Sequence, residues 1–291
     1  MIVLDGKKTA IALKEEIKLT VDNRINDGKK IPHLAAVLVG NDGASLTYVG
    51  SKVRSCEQIG IKSTLIHLDE TISENELLQK ITQLNNDDSL DGYIVQLPLP
   101  EHINEEIILL AIDPRKDVDG FHPSNFGRMA LEMNSFIPAT PYGIMELLKR
   151  YKIETSGKHC VVIGRSHIVG RPISILMSQK GPYGNATVTV AHSRTENIKV
   201  LTRSADIIVS ALGIPEFLKA DMVKQDVVII DVGITRVPDT SHPKGYLIKG
   251  DVAYEEVARK AYAITPVPGG VGPMTIAMLL KNTLLACERR D

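Results

Sequence analysis

Four polar residues in the first half of the chain have the types and positions expected of a catalytic site. Tyr48 and Lys52 are four residues apart in a predicted helix, so their side chains share one face. Gln96 directly follows a short apolar run, and ligands commonly bind beyond the carboxyl ends of parallel strands. Asp119 lies in the turn-prone sequence Lys-Asp-Val-Asp-Gly. Taken singly, these features also fit a surface lysine beside a half-buried tyrosine, a polar loop residue and an acidic turn.

A second candidate site is the glycine-bracketed loop of residues 164–170. Residues 160–163 before it are short, apolar and rich in β-branched side chains, as a buried parallel strand should be. Residues 172–180 after it are predicted to form a helix. A strand, a glycine turn and a helix N-terminus together direct free backbone N–H groups at an anion such as a phosphate. The alternative is an ordinary βαβ unit with a tight turn, because Gly164 and Gly170 do not have the usual G-x-G-x-x-G spacing.

The residues after the next predicted strand indicate which nucleotide such a loop would take. A cofactor with a free ribose 2′-hydroxyl usually meets an acidic residue at this position. The chain instead has His192, Ser193 and Arg194 there, with Arg165 in the first turn. Two arginines and a serine suit a 2′-phosphate, so the sequence favours NADP over NAD.

Hydrophobic periodicity predicts the alternating strands and helices that would position these residues. Apolar residues spaced four apart predict an amphipathic helix over residues 5–26, and Ser73 with Glu76 forms a capping box before another helix. A small parallel α/β layer is therefore predicted first, and the βα rhythm resumes after residue 194. The predicted strands are residues 34–39, 61–68, 92–95, 160–163, 187–190, 207–210, 227–231 and 263–265, and further predicted helices are residues 44–59, 142–151 and 274–287.

Residues 113–141 are predicted to form an irregular connection. Pro114, Pro123, Pro138 and Pro141 interrupt any regular pattern in this segment. A long connection without secondary structure is more often part of a site than a spacer, so we expect it to carry functional residues.

Composition predicts a cytoplasmic globular protein of about two domains. The chain has 291 residues, and its 43% hydrophobic content is enough for a substantial core. A net charge of −1 gives no strong field that would favour nucleic acid or an anionic membrane. Cys56, Cys160 and Cys287 are far apart, so we expect neither a disulfide framework nor a metal site. We also expect no signal peptide and no membrane span.

Five segments in order resemble the bifunctional methylenetetrahydrofolate dehydrogenase/cyclohydrolase family over residues 3–285. They read Tyr-Val-Gly-Ser-Lys, Val-Gln-Leu-Pro-Leu-Pro, Lys-Asp-Val-Asp-Gly-Phe-His-Pro, Gly-Arg-Ser-x-Ile-Val-Gly-Arg-Pro and Pro-Val-Pro-Gly-Gly-Val-Gly-Pro-Met-Thr. The resemblance implies an α/β homodimer whose chain has two domains with a folate cleft between them. An N-terminal three-layer α/β catalytic domain would comprise residues 1–140 and 273–291. A Rossmann-like NADP-binding domain would comprise residues 141–272.

The resemblance also implies the activity and the site residues. The protein would oxidise 5,10-methylenetetrahydrofolate with NADP and hydrolyse the methenyl product to 10-formyltetrahydrofolate. Lys52 would be the catalytic lysine and Gln96 its hydrogen-bonding partner, while Tyr48 would pack on the folate and Asp119 would hold the pterin ring. Further implied folate contacts are Leu97, Pro98, Leu99, Pro268, Gly269 and Gly270. The implied nucleotide contacts are Gly164, Arg165, Ser166, Ile168, Ser193, Arg194, Ala211, Gly213, Gly233, Ile234 and Thr275.

Three alternatives are left open by the sequence. The first is a dehydrogenase without the hydrolytic step, although the joint presence of Tyr48, Lys52 and Gln96 argues against it. The second is an unrelated two-domain NADP oxidoreductase that acts on a small acid. The third is a catalytically silent nucleotide-binding protein. The sequence also does not decide whether NAD is accepted beside NADP.

Overall fold

The computed structural model describes residues 1–241 and 245–291 as an alternation of strands and helices. In chain order the strands are β1 (Ile2–Val3), β2 (His33–Val39), β3 (Lys62–Leu68), β4 (Gly92–Val95), β5 (His159–Ile163), β6 (Thr187–Ala191), β7 (Ile207–Ser210), β8 (Val227–Asp231), β9 (Thr235–Pro238), β10 (Tyr246–Lys249) and β11 (Ala261–Ile264). The helices are α1 (Gly6–Asn26), α2 (Gly43–Gln58), α3 (Glu74–Asn85), α4 (Glu105–Ala111), α5 (Pro123–Ala130), α6 (Ala139–Arg150), α7 (Gly170–Ser178), α8 (Ile198–Ser204), α9 (Tyr254–Val257) and α10 (Val271–Glu288).

The chain divides into two compact units. We call Met1–Ile11 with Thr140–Thr275 the six-stranded unit, and Ala12–Ala139 with Ile276–Asp291 the three-stranded unit. Within the described residues, no helix is both long and apolar enough to cross a membrane.

The three-stranded unit is built on a parallel sheet of order β3-β2-β4. All seven residues of the central strand β2 are buried, so both faces of the sheet are covered. On one face Ala35, Val37 and Val39 join a hydrophobic cluster with residues of α3 and α4. This arrangement agrees with the predicted small parallel α/β layer, and it places the carboxyl ends of β2 and β4 at the same edge.

Local capping interactions start the helices of the three-stranded unit. The Asp42 carboxylate accepts a hydrogen bond from Ser45 N at 2.7 Å, so α2 begins directly after β2 and its turn. The predicted capping box is confirmed: Ser73 Oγ accepts from Glu76 N at 3.3 Å, and Ser73 N donates to Glu76 Oε2 at 2.9 Å. α2 is the helix that carries Tyr48 and Lys52.

The prediction that residues 113–141 lack regular structure is wrong for part of the segment. Helix α5 begins at Pro123, where a proline costs no hydrogen bond because the first N–H groups of a helix are unpaired within it. The His122 side chain caps it by accepting from Ser124 N at 3.0 Å. Here proline marks the start of a helix.

The six-stranded unit contains a fully parallel sheet of order β1-β11-β8-β7-β5-β6. The chain goes from β5 to β6 on one side and then crosses to β7 on the other side. This reversal makes the β5/β7 boundary a topological switch point, and such points create a crevice at the carboxyl ends of the strands. The loop of residues 164–170 leaves β5 at this crevice.

The first residues of the chain, Met1–Ile11, belong to the six-stranded unit. β1 pairs in parallel with β11 through Ile2 with Ala263 and Val3 with Ile264. Leu4 N donates to Ile264 O at 2.8 Å, and the Leu4 side chain is completely buried. Backbone pairing and apolar burial together explain this placement. β9 and β10 form a separate antiparallel pair in the same unit.

Candidate functional site

Lys52 is a buried lysine beside an aromatic ring. Its side chain projects from α2, and the residue is only 5% exposed. Its Nζ lies 5.1 Å from the centroid of the Tyr48 ring, one helical turn earlier, which is cation–π distance. A lysine on the protein surface would be solvated, so the structure excludes the surface interpretation that the isolated Tyr-x-x-x-Lys pattern allowed.

Gln96 orients the Lys52 amine. Its backbone N donates to Val37 O at 2.9 Å, which places it directly beyond β4. Its Oε1 accepts from Lys52 Nζ at 3.2 Å, and its Nε2 donates to Leu97 O at 2.7 Å. Because the amide nitrogen has its own acceptor, the amide oxygen is the atom that faces the lysine. The neutral partner expected for Lys52 is therefore present.

The segment after Gln96 presents its predicted folate contacts unequally. Leu97 is half-buried and Pro98 is exposed, and the bond between them is cis. Leu99 is 8% exposed and belongs to the hydrophobic cluster of the sheet, and its N donates to Glu105 Oε1 at 3.0 Å. The Leu99 side chain thus packs in the core, which leaves Leu97 and Pro98 as the accessible side chains of this segment.

Asp119 and Lys52 lie in the same unit, and the charge of each shifts the pKa of the other. Burial lowers the pKa of Lys52 from its ordinary value, and the negative charge of Asp119 partly opposes that change. In turn, burial raises the pKa of Asp119, and the positive charge of Lys52 opposes the rise. The site therefore favours a neutral amine more strongly than water does, while a carboxylate close by limits the effect.

The side chains of Asp117, Asn125 and Asn282 hold the Asp119 loop, and none of these three residues was given a role from the sequence. The Asp117 carboxylate accepts from His122 N at 2.8 Å and from Asn125 Nδ2 at 2.9 Å. Asn282 Nδ2 donates to Val118 O at 2.8 Å, directly beside Asp119. Burial and the nearby charge of Asp119 raise the pKa of Asp117 to about 7. A polar residue inside the apolar helix α10 was the available signal for Asn282.

A tight backbone contact at the switch point shapes the second candidate site. Gly164 follows β5 with φ +120°, and a Cβ on it would lie 2.3 Å from Ala211 O. A Cβ on Gly170 would lie 2.3 Å from Gly164 O. Real Cβ atoms do not approach oxygen so closely, so both positions require glycine. The loops after β5 and β7 consequently approach one another through their backbones.

Ser166 binds the backbone at the start of the helix that follows this loop. Its Oγ accepts from Val169 N and Gly170 N at 3.2 Å each, and its O accepts from Arg171 N at 3.0 Å. A hydroxyl that accepts still has its own O–H to donate. The side chains of Arg165, Ser166 and Ile168 are exposed at the start of α7. The loop can therefore offer backbone N–H groups, a hydroxyl and a guanidinium to an anion.

Ser193 and Arg194 lie beyond the carboxyl end of β6, and both are exposed. A turn presents them, in which Thr195 N donates to His192 O at 2.8 Å and Arg194 N donates to His192 Nδ1 at 3.2 Å. The structure places them at the end of the strand next to β5, which is the position that a ribose substituent would require.

The other predicted nucleotide contacts follow the remaining strands of the same sheet. Ala211 and Gly213 follow β7, and Gly213 has φ +71°. Gly233 and Ile234 follow β8, where Ile234 is 58% exposed and Gly233 is buried. Each pair therefore lies at a strand carboxyl end, as the switch-point argument requires.

The late glycine-rich segment, Pro268 to Gly270, also belongs to the six-stranded unit. Pro268 is exposed, whereas Gly270 is buried and Gly269 O accepts from Lys7 N at 2.8 Å. Thr275 follows in α10, and its Oγ1 lies 2.9 Å from Thr140 Oγ1. The three-stranded unit contains Lys52, Tyr48, Gln96 and Asp119, and the six-stranded unit contains all the predicted nucleotide contacts.

The six-stranded unit fits a dinucleotide phosphate. Its switch point carries glycines that no side chain could replace, and the N-terminus of α7 follows directly. Arg165 in the loop after β5 and Arg194 beyond β6 are exposed cationic side chains. Backbone amides, a helix N-terminus and guanidinium groups are the donors that phosphate oxygens need. Fold and sites thus define a two-unit α/β protein with a nucleotide-binding parallel sheet.

Comparison with known proteins gives the family. The model of the tetrahydrofolate dehydrogenase/cyclohydrolase catalytic domain matches residues 4–119, and that of the NAD(P)-binding domain matches residues 138–291. Together they cover most of the chain. The chain therefore belongs to the tetrahydrofolate dehydrogenase/cyclohydrolase family, as its five sequence segments had indicated.

Similar proteins extend over the whole chain. Bifunctional protein FolD of Flavobacterium johnsoniae is 71% identical over 291 residues, which is 100% of this chain and 99% of that protein. The crystal structure of the bifunctional enzyme FolD-methylenetetrahydrofolate dehydrogenase/cyclohydrolase from Campylobacter jejuni is 48% identical, with full coverage of both chains and a TM-score of 0.94. A Trypanosoma brucei dehydrogenase-cyclohydrolase, solved with NADP cofactor and an inhibitor, is 36% identical with a TM-score of 0.94, and the match covers 100% of this chain and 98% of that one. The predicted α/β fold class is confirmed.

Proposed function

We propose that this protein oxidises 5,10-methylenetetrahydrofolate to 5,10-methenyltetrahydrofolate with NADP⁺ and then hydrolyses the methenyl product to 10-formyltetrahydrofolate. The observation that carries the proposal is a lysine 5% exposed, with Nζ 3.2 Å from the neutral amide oxygen of Gln96. A buried lysine with a neutral partner can lose its proton far more readily than one in water. The names of the bifunctional relatives from Flavobacterium johnsoniae and Campylobacter jejuni support both activities.

NADP⁺ supplies, when bound, the nicotinamide ring that accepts the hydride from the one-carbon bridge of the folate. Arg165, Ser193 and Arg194 are the residues we assign to its 2′-phosphate, because exposed cations and a hydroxyl suit a dianion. We assign the remaining nucleotide contacts to Gly164, Ser166, Ile168, Ala211, Gly213, Gly233, Ile234 and Thr275. The relative from Trypanosoma brucei that was solved with NADP supports this choice of nucleotide.

The hydride step needs little help from charged protein groups. The two folate nitrogens that flank the one-carbon bridge share the positive charge that appears when hydride leaves. The protein therefore acts mainly by holding and orienting the folate. We assign this task to Tyr48, which can pack on an aromatic ring, and to Asp119, whose carboxylate can accept two hydrogen bonds from the amino-pyrimidine edge of the pterin.

The hydrolytic step needs a base. Water adds to the methenyl carbon, and neutral Lys52 takes a proton from the adding water. The bond between that carbon and N5 then breaks, N5 takes a proton from the Lys52 ammonium, the remaining hydroxyl proton of the adduct is released to solvent as the C=O bond forms, and the formyl group stays on N10. Lys52 thus ends the cycle neutral, and its depressed pKa is what makes the first transfer possible.

Two further proposals concern the protein as a whole. We propose a homodimer, supported by the family resemblance and tested by light scattering on the purified protein. We also propose a cytoplasmic location. Cys56, Cys160 and Cys287 are buried free thiols, which suits a reducing compartment.

A spectrophotometric assay tests the proposed reactions. 5,10-Methylenetetrahydrofolate is supplied with NADP⁺ or NAD⁺, and reduced nicotinamide and methenyltetrahydrofolate are followed together. Reduced nicotinamide with little methenyl product supports both activities. Methenyl product that accumulates in full proportion means a dehydrogenase alone, and no turnover with either nucleotide means a silent binder.

Substitution of the lysine tests its assigned role. Lys52→Met should abolish hydrolysis of methenyltetrahydrofolate, whereas Lys62→Met, at an exposed lysine of the same unit, should leave the rate at the parental value. Parental hydrolysis by Lys52→Met would show that the base is another group.

A further inference from the structure

Asp251 is a completely buried aspartate that holds the loop after β7. Its Oδ2 accepts from Leu212 N at 2.6 Å and from Ser210 Oγ at 3.3 Å, and its Oδ1 accepts from Ile214 N at 3.0 Å. Leu212 and Ile214 flank Gly213 on both sides. One carboxylate therefore fixes the backbone on either side of a proposed nucleotide contact.

Asp231, at the end of β8, likewise fixes the backbone of the loop after β8 and the backbone of Asp251. It is 3% exposed, and its Oδ1 accepts from Gly233 N and from Asp251 N at 2.9 Å each. Its Oδ2 accepts from Val252 N at 3.0 Å. The two carboxylates thus form one network, in which Asp231 holds Gly233 and the backbone that carries Asp251.

The space around the two carboxylates is closed by glycines. A Cβ on Gly233 would lie 2.2 Å from Asp251 Oδ1, and a Cβ on Gly250 would lie 2.0 Å from Asp231 Oδ2. Neither carboxylate can shift without losing its hydrogen bonds, because the surrounding interior is packed. The loops after β7 and β8 therefore have one backbone arrangement as long as both carboxylates are in place.

We infer that Asp231 and Asp251 are positioning residues for nucleotide binding, which act by fixing the loops that carry Ala211, Gly213, Gly233 and Ile234. The inference rests on the proposed function, since it assumes that these loops contact NADP. Neither aspartate is needed by the hydrolytic step, whose residues Lys52, Gln96 and Asp119 belong to the three-stranded unit. The network should thus affect one activity and spare the other.

The carboxylates can be tested with substitutions of equal size. Each oxygen of Asp251 and of Asp231 accepts at least one N–H, so an asparagine places an NH₂ group against a donor whichever way it turns. Asp251→Asn and Asp231→Asn each lose at least one hydrogen bond to a charged group. Asp226→Asn is the matched control, because Asp226 is an exposed residue just before β8 whose φ of +59° asparagine adopts readily.

The experiment compares NADP affinity by titration calorimetry with hydrolysis of methenyltetrahydrofolate. For Asp251→Asn we expect the Kd for NADP to rise about 10- to 100-fold, the equivalent of one hydrogen bond to a charged group. The KM for NADP should rise with it, while the kcat/KM for hydrolysis should stay within about twofold of the parental value, a difference too small to reflect a lost interaction. Asp226→Asn should match the parent in both measurements.

Each outcome has one meaning. Parental NADP affinity in both folded aspartate variants overturns the inference and leaves the proposed function intact. Absence of NADP binding by the parent protein overturns the proposed function and the inference with it. If both aspartate variants fail to fold, Ser210→Ala decides, because it removes only the hydroxyl donor to Asp251. It should weaken NADP binding severalfold and leave hydrolysis unchanged, and unchanged NADP affinity would again overturn the inference.

Discussion

Lys52 Nζ lies 3.2 Å from Gln96 Oε1, and Gln96 Nε2 is held by Leu97 O at 2.7 Å. A neutral acceptor, the Gln96 amide oxygen, therefore faces the buried amine. The Gln96 amide cannot turn its nitrogen towards Lys52 without losing the hydrogen bond from Nε2 to Leu97 O. The negative charge of Asp119 also acts on the amine and raises its pKa. Two opposing effects thus set the pKa of Lys52. Burial lowers the pKa, and the carboxylate of Asp119 raises it.

Gln96→Glu should move the pH dependence of hydrolysis upward. A carboxylate in place of the amide would stabilise the ammonium form, so the pKa of Lys52 would rise towards or above its ordinary value of 10.5. The neutral base exists only above this pKa, so the acid limb of the kcat/KM profile should shift to higher pH and the rate at neutral pH should fall. Gln83→Glu, at an exposed glutamine, should leave the profile in place. An unshifted acid limb in Gln96→Glu would mean that it belongs to another group.

Asp119→Ala should weaken folate binding more than NADP binding. The variant removes the carboxylate assigned to the pterin edge, and hydrogen bonds to a charged group are worth about 1.5–3 kcal/mol each. Folate affinity should therefore fall at least about tenfold, while NADP affinity, which depends on the six-stranded unit, should change little. Calorimetric titration with each ligand separately measures both values. Equal losses for the two ligands would point to misfolding instead.

Arg165→Ala should reduce the preference for NADP over NAD. The exposed guanidinium is assigned to the 2′-phosphate, which NAD lacks, so its removal should raise the KM for NADP about tenfold or more and leave the KM for NAD nearly unchanged. Steady-state dehydrogenase rates with both nucleotides give the ratio. Arg259→Ala, at another exposed arginine of the six-stranded unit, is the control. An equal rise in both KM values would argue against a contact to the 2′-phosphate.

Gly170→Ala should disrupt the nucleotide loop. The added methyl would lie 2.3 Å from Gly164 O, a backbone atom that cannot give way cheaply, so we expect a cost of about 1–3 kcal/mol and a large loss of NADP affinity. Gly127→Ala is the matched control, since it adds a methyl inside helix α5 where nothing lies within 4 Å. That change should stabilise the protein by about 0.5–1 kcal/mol. Chemical denaturation and NADP titration of both variants measure these effects, and a Gly170→Ala protein that binds NADP normally would contradict the proposed loop contact.

Strands bounded by turn residues could be predicted closely from the sequence. Residues 92–95, 207–210 and 227–231 coincide with β4, β7 and β8, because each is a short apolar run that ends at a polar or turn-forming residue. Helices α4 and α5 have seven and eight residues, too few for a hydrophobic period to show. β1 has only two residues, and it forms because it pairs with β11 at the edge of the sheet.

The residues that hold the sites could not be predicted from local pattern. Asn282 and Val118 are 164 residues apart in the chain, and Asp251 and Leu212 are 39 apart. Lys52 is buried because the fold brings Gln96 and Asp119 to it. Such contacts depend on tertiary packing, whereas the identity of the reacting groups is visible in short motifs. The family resemblance gave the expected roles of the site residues, and the structure revealed the residues that hold them in position.

The division of the chain into units has a consequence for its synthesis. Each unit combines two segments that are far apart in the chain: Met1–Ile11 joins Thr140–Thr275, and Ile276–Asp291 joins Ala12–Ala139. A ribosome makes the amino end first, so β1 must wait for its partner β11 until more than 260 residues have been joined. The six-stranded unit is complete only when Thr275, near the start of α10, has been made, and the three-stranded unit only when the rest of α10 follows, so both units finish folding late in synthesis.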